Sequence, residues 1–163
     1  MPTPQAELIA DVRNGTGESP VWIAAEQALY WADIPSGTLH RWLAATGRVN
    51  TWPCPEMLAC IAPHAKGGWI AGMQSGLFHV RPQVEGHLDL TQLCSVPHAL
   101  PGMRFNDGRC DRQGRFLAGT MVMDMGLSAN AGCVYSYSND SNRLEQLLTG
   151  FITPKCMANG AEG

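Results

Sequence analysis

The chain has no apolar run approaching the roughly 20 residues needed to cross a bilayer. It has no Lys/Arg cluster, and its net charge is −3, which removes the electrostatic footprint of a protein that binds nucleic acid or an anionic membrane. None of the six cysteines forms a C-x-x-C pair, and no Cys/His grouping has zinc-finger spacing. The opening Met1-Pro2-Thr3-Pro4-Gln5-Ala6-Glu7 offers neither a basic n-region nor an apolar h-region. No signal peptide is visible, which points to free buried thiols and a cytoplasmic location. No window of about 15 residues keeps a helical apolar period without an internal Gly or Pro. Ser19 and Ser75 lack a G-x-S-x-G elbow, so a serine hydrolase is unsupported.

What is present is a core-forming composition cut into short pieces. The 163 residues are 45% hydrophobic and 15% charged, which excludes compositional disorder and suits one domain. Eighteen Gly and 11 Pro recur along the chain, as expected for short segments joined by turns. Ala28–Asp33 alternates like a strand, a Pro-Ser-Gly turn follows, then Thr38–Trp42, a Thr-Gly turn and Arg48–Trp52. That is a β-meander. A second copy runs through Gly68–Met73, Gly76–Val80 and His87–Leu90, and a third through Arg115–Thr120, Cys133–Tyr137 and Leu144–Leu148.

The first strands of successive copies start about 40 and then about 47 residues apart, the period of a propeller blade. Short, evenly spaced strands also suit a β-sandwich. The recurring order of core strand, Gly turn, aromatic strand and polar strand points to the propeller. The expected fold is therefore all-β, with residues 1–163 as a partial propeller of about three blades. Ala6–Asp11 is a candidate outer strand for a closing blade. Closed propellers have about four to eight blades, so such an arc leaves blade faces and edges uncovered and open to self-association.

Two segments carry chemistry. Gly17-Glu18-Ser19-Pro20-Val21-Trp22 places a carboxylate just before an apolar stretch; a Glu oxygen suits a hard divalent cation, but on this one residue alone a Glu that caps a turn or faces solvent is the favoured reading. Arg104-Phe105-Asn106-Asp107-Gly108-Arg109-Cys110-Asp111 gathers a fork donor, an amide and two carboxylates around a Gly. It could orient a polyhydroxylated or carboxylated ligand, or be an Asn-Asp-Gly turn capping its own backbone. His40, His64, His79, His87 and His98 show no metal-ligand spacing.

These two segments, with Leu29-Tyr30-Trp31-Ala32-Asp33-Ile34 and Asp111-Arg112-Gln113-Gly114-Arg115-Phe116-Leu117-Ala118-Gly119-Thr120-Met121, stand in an order and spacing that resembles the gluconolactonase/regucalcin (senescence marker protein) family from about Ala6 to Pro154. The resemblance implies a six-bladed propeller with a divalent cation (Ca²⁺, Zn²⁺, Mn²⁺ or Mg²⁺) in its central channel. It implies metal-assisted opening of a sugar lactone to the sugar acid, with regucalcin also described as calcium-binding. By position, Glu18 falls on a metal-ligand carboxylate, Arg104 and Asn106 on residues that hold the substrate, and Asp124 on an acidic substrate contact.

One departure stands out. The family places an Asn ligand just after a Thr/Ser-Pro, but here Thr153-Pro154 is followed by Lys155, a donor that cannot ligate a metal while protonated. Asn159-Gly160 could replace the missing Asn only after a slip of about four residues, and residues 155–163 read as a divergent tail. The carboxylate expected to act as base belongs to a later blade, so no catalytic base is assigned. The expectation is a lactone-hydrolase chain impaired in metal binding and turnover, or else a non-enzymatic metal-binding or inactive propeller fragment.

Overall fold

Twelve strands follow one another with no α-helix between them in the computed structural model, which describes residues 5–127 and 129–155. They form three antiparallel sheets, each a simple meander. The first sheet holds β1 (Gly17–Ile23), β2 (Ala28–Asp33), β3 (Thr38–Leu43) and β4 (Val49–Pro53). The second holds β5 (Leu58–Pro63), β6 (Trp69–Met73), β7 (Gly76–Pro82) and β8 (Leu88–Ser95). The third holds β9 (Met103–Cys110), β10 (Phe116–Val122), β11 (Gly132–Ser138) and β12 (Arg143–Phe151). These are three successive blades of a β-propeller.

The blades stack face to face, and the middle one is covered on both sides. Every residue of β6 is buried, as are the first five of β5, which is why these strands read as continuous apolar runs. Side-chain alternation sorts them. Leu58, Ile61, Trp69, Ala71 and Met73 pack with Tyr30, Ala32, Leu39 and Trp52 of the first blade. Cys60, Ala62, Ile70 and Leu77 pack with Phe105, Phe116, Tyr135 and Tyr137 of the third. Tyr30 and Trp69 meet across the first seam with ring centroids 4.5 Å apart. Each such buried large side chain stabilises by about 1.5–3 kcal/mol, so the seams carry much of the fold's stability.

The second seam is tight enough to require glycine. A Cβ at Gly72 would lie 2.7 Å from Cys60 Sγ, and one at Gly108 would lie 2.9 Å from the same sulfur and 2.8 Å from Phe116 Cζ. Cys60 thus sits in a slot between two bare backbones, and burial pushes its thiol up to about 12. Among the described residues Cys54, Cys60, Cys94, Cys110 and Cys133 take part in no disulfide.

The structure corrects the sequence reading in three places. Gly17–Ile23 and Met103–Cys110, which read as loop and turn chemistry, are strands. With β5 they are the first strands of their blades, so each blade begins one strand earlier than its alternation suggests. Residues 6–11 form no strand. Instead the segment after them docks on the outer face of the first blade. Asn14 Oδ1 accepts from Trp31 Nε1 at 2.8 Å, and Asp33 Oδ1 accepts from the Thr16 amide at 2.8 Å. Among the described residues no helix is long and apolar enough to cross a membrane.

Candidate functional site

Each innermost strand carries one extra residue near its start. Between Glu18 and Val21, between Leu58 and Cys60, and between Phe105 and Gly108, the inner strand advances one residue further than its partner. These are β-bulges at corresponding places in three blades. A bulge breaks the ladder locally, bends the strand and re-aims its side chains. Glu18 and Arg104 stand just before the bulge as the second residues of β1 and β9, so both enter the site from the same end of their blades.

In the first blade the bulge holds Ser19 at φ 55°, a left-handed conformation that costs a non-glycine residue about 1 kcal/mol or more. What stabilises it there is the next blade. Ser19 Oγ accepts from the Ile61 amide at 2.9 Å and donates to the Ile61 carbonyl at 3.3 Å. A half-channel of about 660 Å³ runs along the three inner strands, with Glu18, Trp22, Ile61, Asp107 and Arg109 among its lining residues. A wider groove of about 1210 Å³ opens between the first two blades, lined by Tyr30, Arg41 and Trp52 among others. None of the residues singled out in the sequence for the site lies there.

Of the residues singled out in the sequence for the site, Glu18 alone lines the half-channel; Arg104 and Asn106 act as one unit on β9. Arg104 Nη1 donates to the Phe105 carbonyl at 2.7 Å and to Asn106 Oδ1 at 3.2 Å. Asn106 is buried, and its Nδ2 donates to the Pro154 carbonyl at 3.0 Å. Burial pulls the Arg104 guanidinium below its usual value, while the negative charge of Glu18 opposes that shift. A guanidinium has five donors, so the fork retains capacity for a ligand's carbonyl or hydroxyl oxygens.

Glu18 meets a cation delivered from the far end of the chain. Lys155 Nζ lies 3.1 Å from Glu18 Oε1, closing an ion pair between the first strand of the first blade and the segment that follows the third. The sequence marks Lys155 as a departure but gives no sign that it reaches Glu18. Asp124 stands elsewhere. It is exposed, and its Oδ1 accepts from the Gly126 amide at 2.9 Å, capping the short 3-10 turn Met125–Leu127. Asn159 lies outside the described residues.

The donors present do not fit a divalent cation. Hard cations of this kind gather about six or more oxygen ligands. Here the Glu18 carboxylate already faces an ammonium, and the Asn106 oxygen already accepts from Arg104. Among the described residues no three His, Cys, Asp or Glu side chains are grouped to hold a metal. His64 and His79 do stack, with centroids 4.0 Å apart, but His79 Nε2 is engaged by the Gly67 carbonyl at 2.7 Å.

Comparison with known proteins agrees with this architecture. The chain is 43% identical over 106 residues to 6-deoxy-6-sulfogluconolactonase of Pseudomonas putida, covering 64% of this chain and 35% of that protein. It is 38% identical over 121 residues to L-arabinolactonase of Azospirillum brasilense, covering 72% and 38%. Its fold matches the crystal structure of a calcium-binding protein, regucalcin, from Agrobacterium tumefaciens, with a TM-score of 0.75 at 26% identity, over 87% of this chain and 46% of that one. The chain therefore spans less than half the length of each of these relatives. Residues 16–161 match the model of the SMP-30/gluconolactonase/LRE-like region, and the chain belongs to that family.

Proposed function

We propose that this chain contributes the first half of a sugar-lactone hydrolase site, in which Arg104 and Asn106 hold the oxygens of an aldonolactone beside Glu18. The observation that supports the reading is the chain of contacts that runs from Arg104 to Asn106, from Asn106 to the Pro154 carbonyl, and from the adjacent Lys155 to Glu18. The names of the lactonase relatives support it. In the reaction, water adds to the lactone carbonyl carbon, the ring C–O bond breaks, and the ring oxygen leaves with a proton to give the open-chain acid. Arg104 would orient the carbonyl and hydroxyls, a proximity effect. Asn106, anchored by the Pro154 carbonyl, would keep the Arg104 fork in place. Asp124 lies past the end of β10, whose Met121 pairs with Arg104, and is proposed as a peripheral contact that must first leave its own turn.

A divalent cation at Glu18 is the family expectation, but the donor set argues for weak metal binding in this chain. We assign no base among the described residues. The isolated chain should therefore bind lactone and turn it over slowly at best. The five described cysteines, none of them in a disulfide, favour a reducing, cytoplasmic setting.

A second reading, a non-enzymatic module that associates through its open third blade, is favoured by one observation. Leu147, Leu148, Phe151 and Ile152 are all substantially exposed, and exposed apolar surface next to a strand edge invites pairing. Saturation-transfer NMR and hydrolysis of glucono-δ-lactone, with light scattering across a concentration series, separate the readings. The first expects lactone contact weakened about tenfold or more by Arg104→Met, as suits loss of a charged hydrogen bond. Lactone contact that is absent, or unchanged in Arg104→Met, together with concentration-dependent dimers, would replace it with the second. Turnover abolished by Glu18→Ala and matching that of a full-length relative would overturn the expectation of impairment.

A further inference from the structure

We propose that Lys155 is the built-in counter-cation of the axial carboxylate, so that Glu18 is neutralised by an ammonium of its own chain and a divalent cation must compete with that ammonium for it. The inference rests on the placement of Glu18 in the site proposed above. It begins from the 3.1 Å contact between Lys155 Nζ and Glu18 Oε1.

The backbone that delivers the lysine is fixed. After β12 the chain turns back toward the inner strands, and Pro154 is buried with its carbonyl held by Asn106 Nδ2 at 3.0 Å. Lys155 is the next residue, so its stem starts from an anchored point beside the Arg104–Asn106 unit. The partners stand 137 positions apart in sequence, and only the stacking of three blades brings them together.

Charge decides the consequence. A divalent ion approaching Glu18 meets the Lys155 ammonium on the same carboxylate and the Arg104 guanidinium close enough to sense Glu18. At a separation of a few Å, even with near-aqueous screening, one such positive charge weakens divalent binding about tenfold or more. The same pair does little for folding. The Lys155 and Glu18 side chains are 54% and 42% exposed, and exposed ion pairs contribute little to stability. Replacing Lys155 should therefore change cation affinity and leave stability nearly unaltered, which separates a counter-cation from a structural strut.

The test is Mn²⁺ titration of the full chain, followed by paramagnetic broadening of the Glu18 amide resonance, with urea unfolding of each variant alongside. Lys155→Met should need about tenfold less Mn²⁺ than the wild type for the same broadening, and Lys155→Arg should behave like the wild type. Adding Glu18→Gln to Lys155→Met should return the requirement to the wild-type level or above, with the urea midpoints of the Lys155 variants unchanged. Equal Mn²⁺ requirements for the wild type and Lys155→Met would overturn the proposal. So would tight binding that survives Glu18→Gln. Lactone contact through Arg104, read on the same samples without Mn²⁺, reports on the proposed function separately, so the failure of one is not mistaken for failure of the other.

Discussion

Ser19 and Ile61 exchange two hydrogen bonds between the innermost strands of neighbouring blades, with the hydroxyl accepting at 2.9 Å and donating at 3.3 Å. Ile61 pairs with Ala71 on one side of its strand, and on its other side its amide and carbonyl face β1. Ser19 satisfies both groups there, and in doing so holds its own backbone at φ 55°.

Substitution at Ser19 should separate these two effects. Ser19→Ala loses the hydroxyl and keeps the strained φ, and should cost about 1–3 kcal/mol through the unsatisfied Ile61 amide. Ser19→Gly loses the same hydroxyl but adopts φ 55° without a Cβ penalty, so it should be about 1 kcal/mol more stable than Ser19→Ala. Urea midpoints of the three proteins at constant m-value check the order wild type, then Gly, then Ala. An alanine variant as stable as the glycine variant would show that the strain is negligible.

The seam between the second and third blades should be intolerant of a single methyl. At Gly108 an added Cβ meets Phe116 Cζ at 2.8 Å, Cys60 Sγ at 2.9 Å and Ala118 Cβ at 3.0 Å. Gly108→Ala is therefore an overpacking change, expected to cost about 1–3 kcal/mol. Cys60→Ala removes one of the three obstacles, so the double variant should lose less stability than the sum of the single ones. A double-mutant cycle from urea unfolding measures that coupling. Additive effects would mean that the seam opens to admit the methyl.

Acid should unfold the third blade through Asp111. Its side chain is 1% exposed, and burial alone would raise its pKa. Arg115 outweighs that effect, with Nε donating to Oδ2 at 2.6 Å and its amide donating to Oδ1 at 2.8 Å, while the Gln113 amide adds a third bond at 3.0 Å. The carboxyl is held below its ordinary value of 3.8. A carboxyl depressed in the folded state contributes stability that is fully present above its unfolded pKa and lost as pH falls through the folded one. Asp111→Asn should cost about 1–3 kcal/mol at neutral pH. Its stability gap from the wild type should shrink as pH drops below about 4. A gap that stays constant from neutral pH into acid would remove the charge from the explanation.

Much of this fold is legible in the residues themselves. In every blade the second, third and fourth strands announce themselves by period-2 alternation and by turns such as Pro35-Ser36-Gly37, and all nine lie where that pattern puts them, to within a few residues at their ends. The first strands are hidden for one physical reason, the bulge. An extra residue breaks the alternation in β1, β5 and β9, and the residues that fill two of these bulges, Ser19-Pro20 and Asn106-Asp107, are the ones that otherwise signal turns. The irregularity that hides these strands also lies beside Glu18 and Arg104, the residues proposed for the site.

The site divides in the same way. Local sequence by itself determines three blades' worth of β-meander, the chemistry available at Glu18, Arg104 and Asn106, and the arrival of a lysine where an amide is expected. Tertiary structure decides who meets whom. Blade stacking carries Ser19 to Ile61, sets Cys60 against Gly108 of the next blade, and sets Lys155 against Glu18. None of these pairings lies within one strand or one turn. Each depends on the angle at which whole sheets pack, and that angle comes from summed side-chain volumes across a seam, which no local pattern of residues encodes.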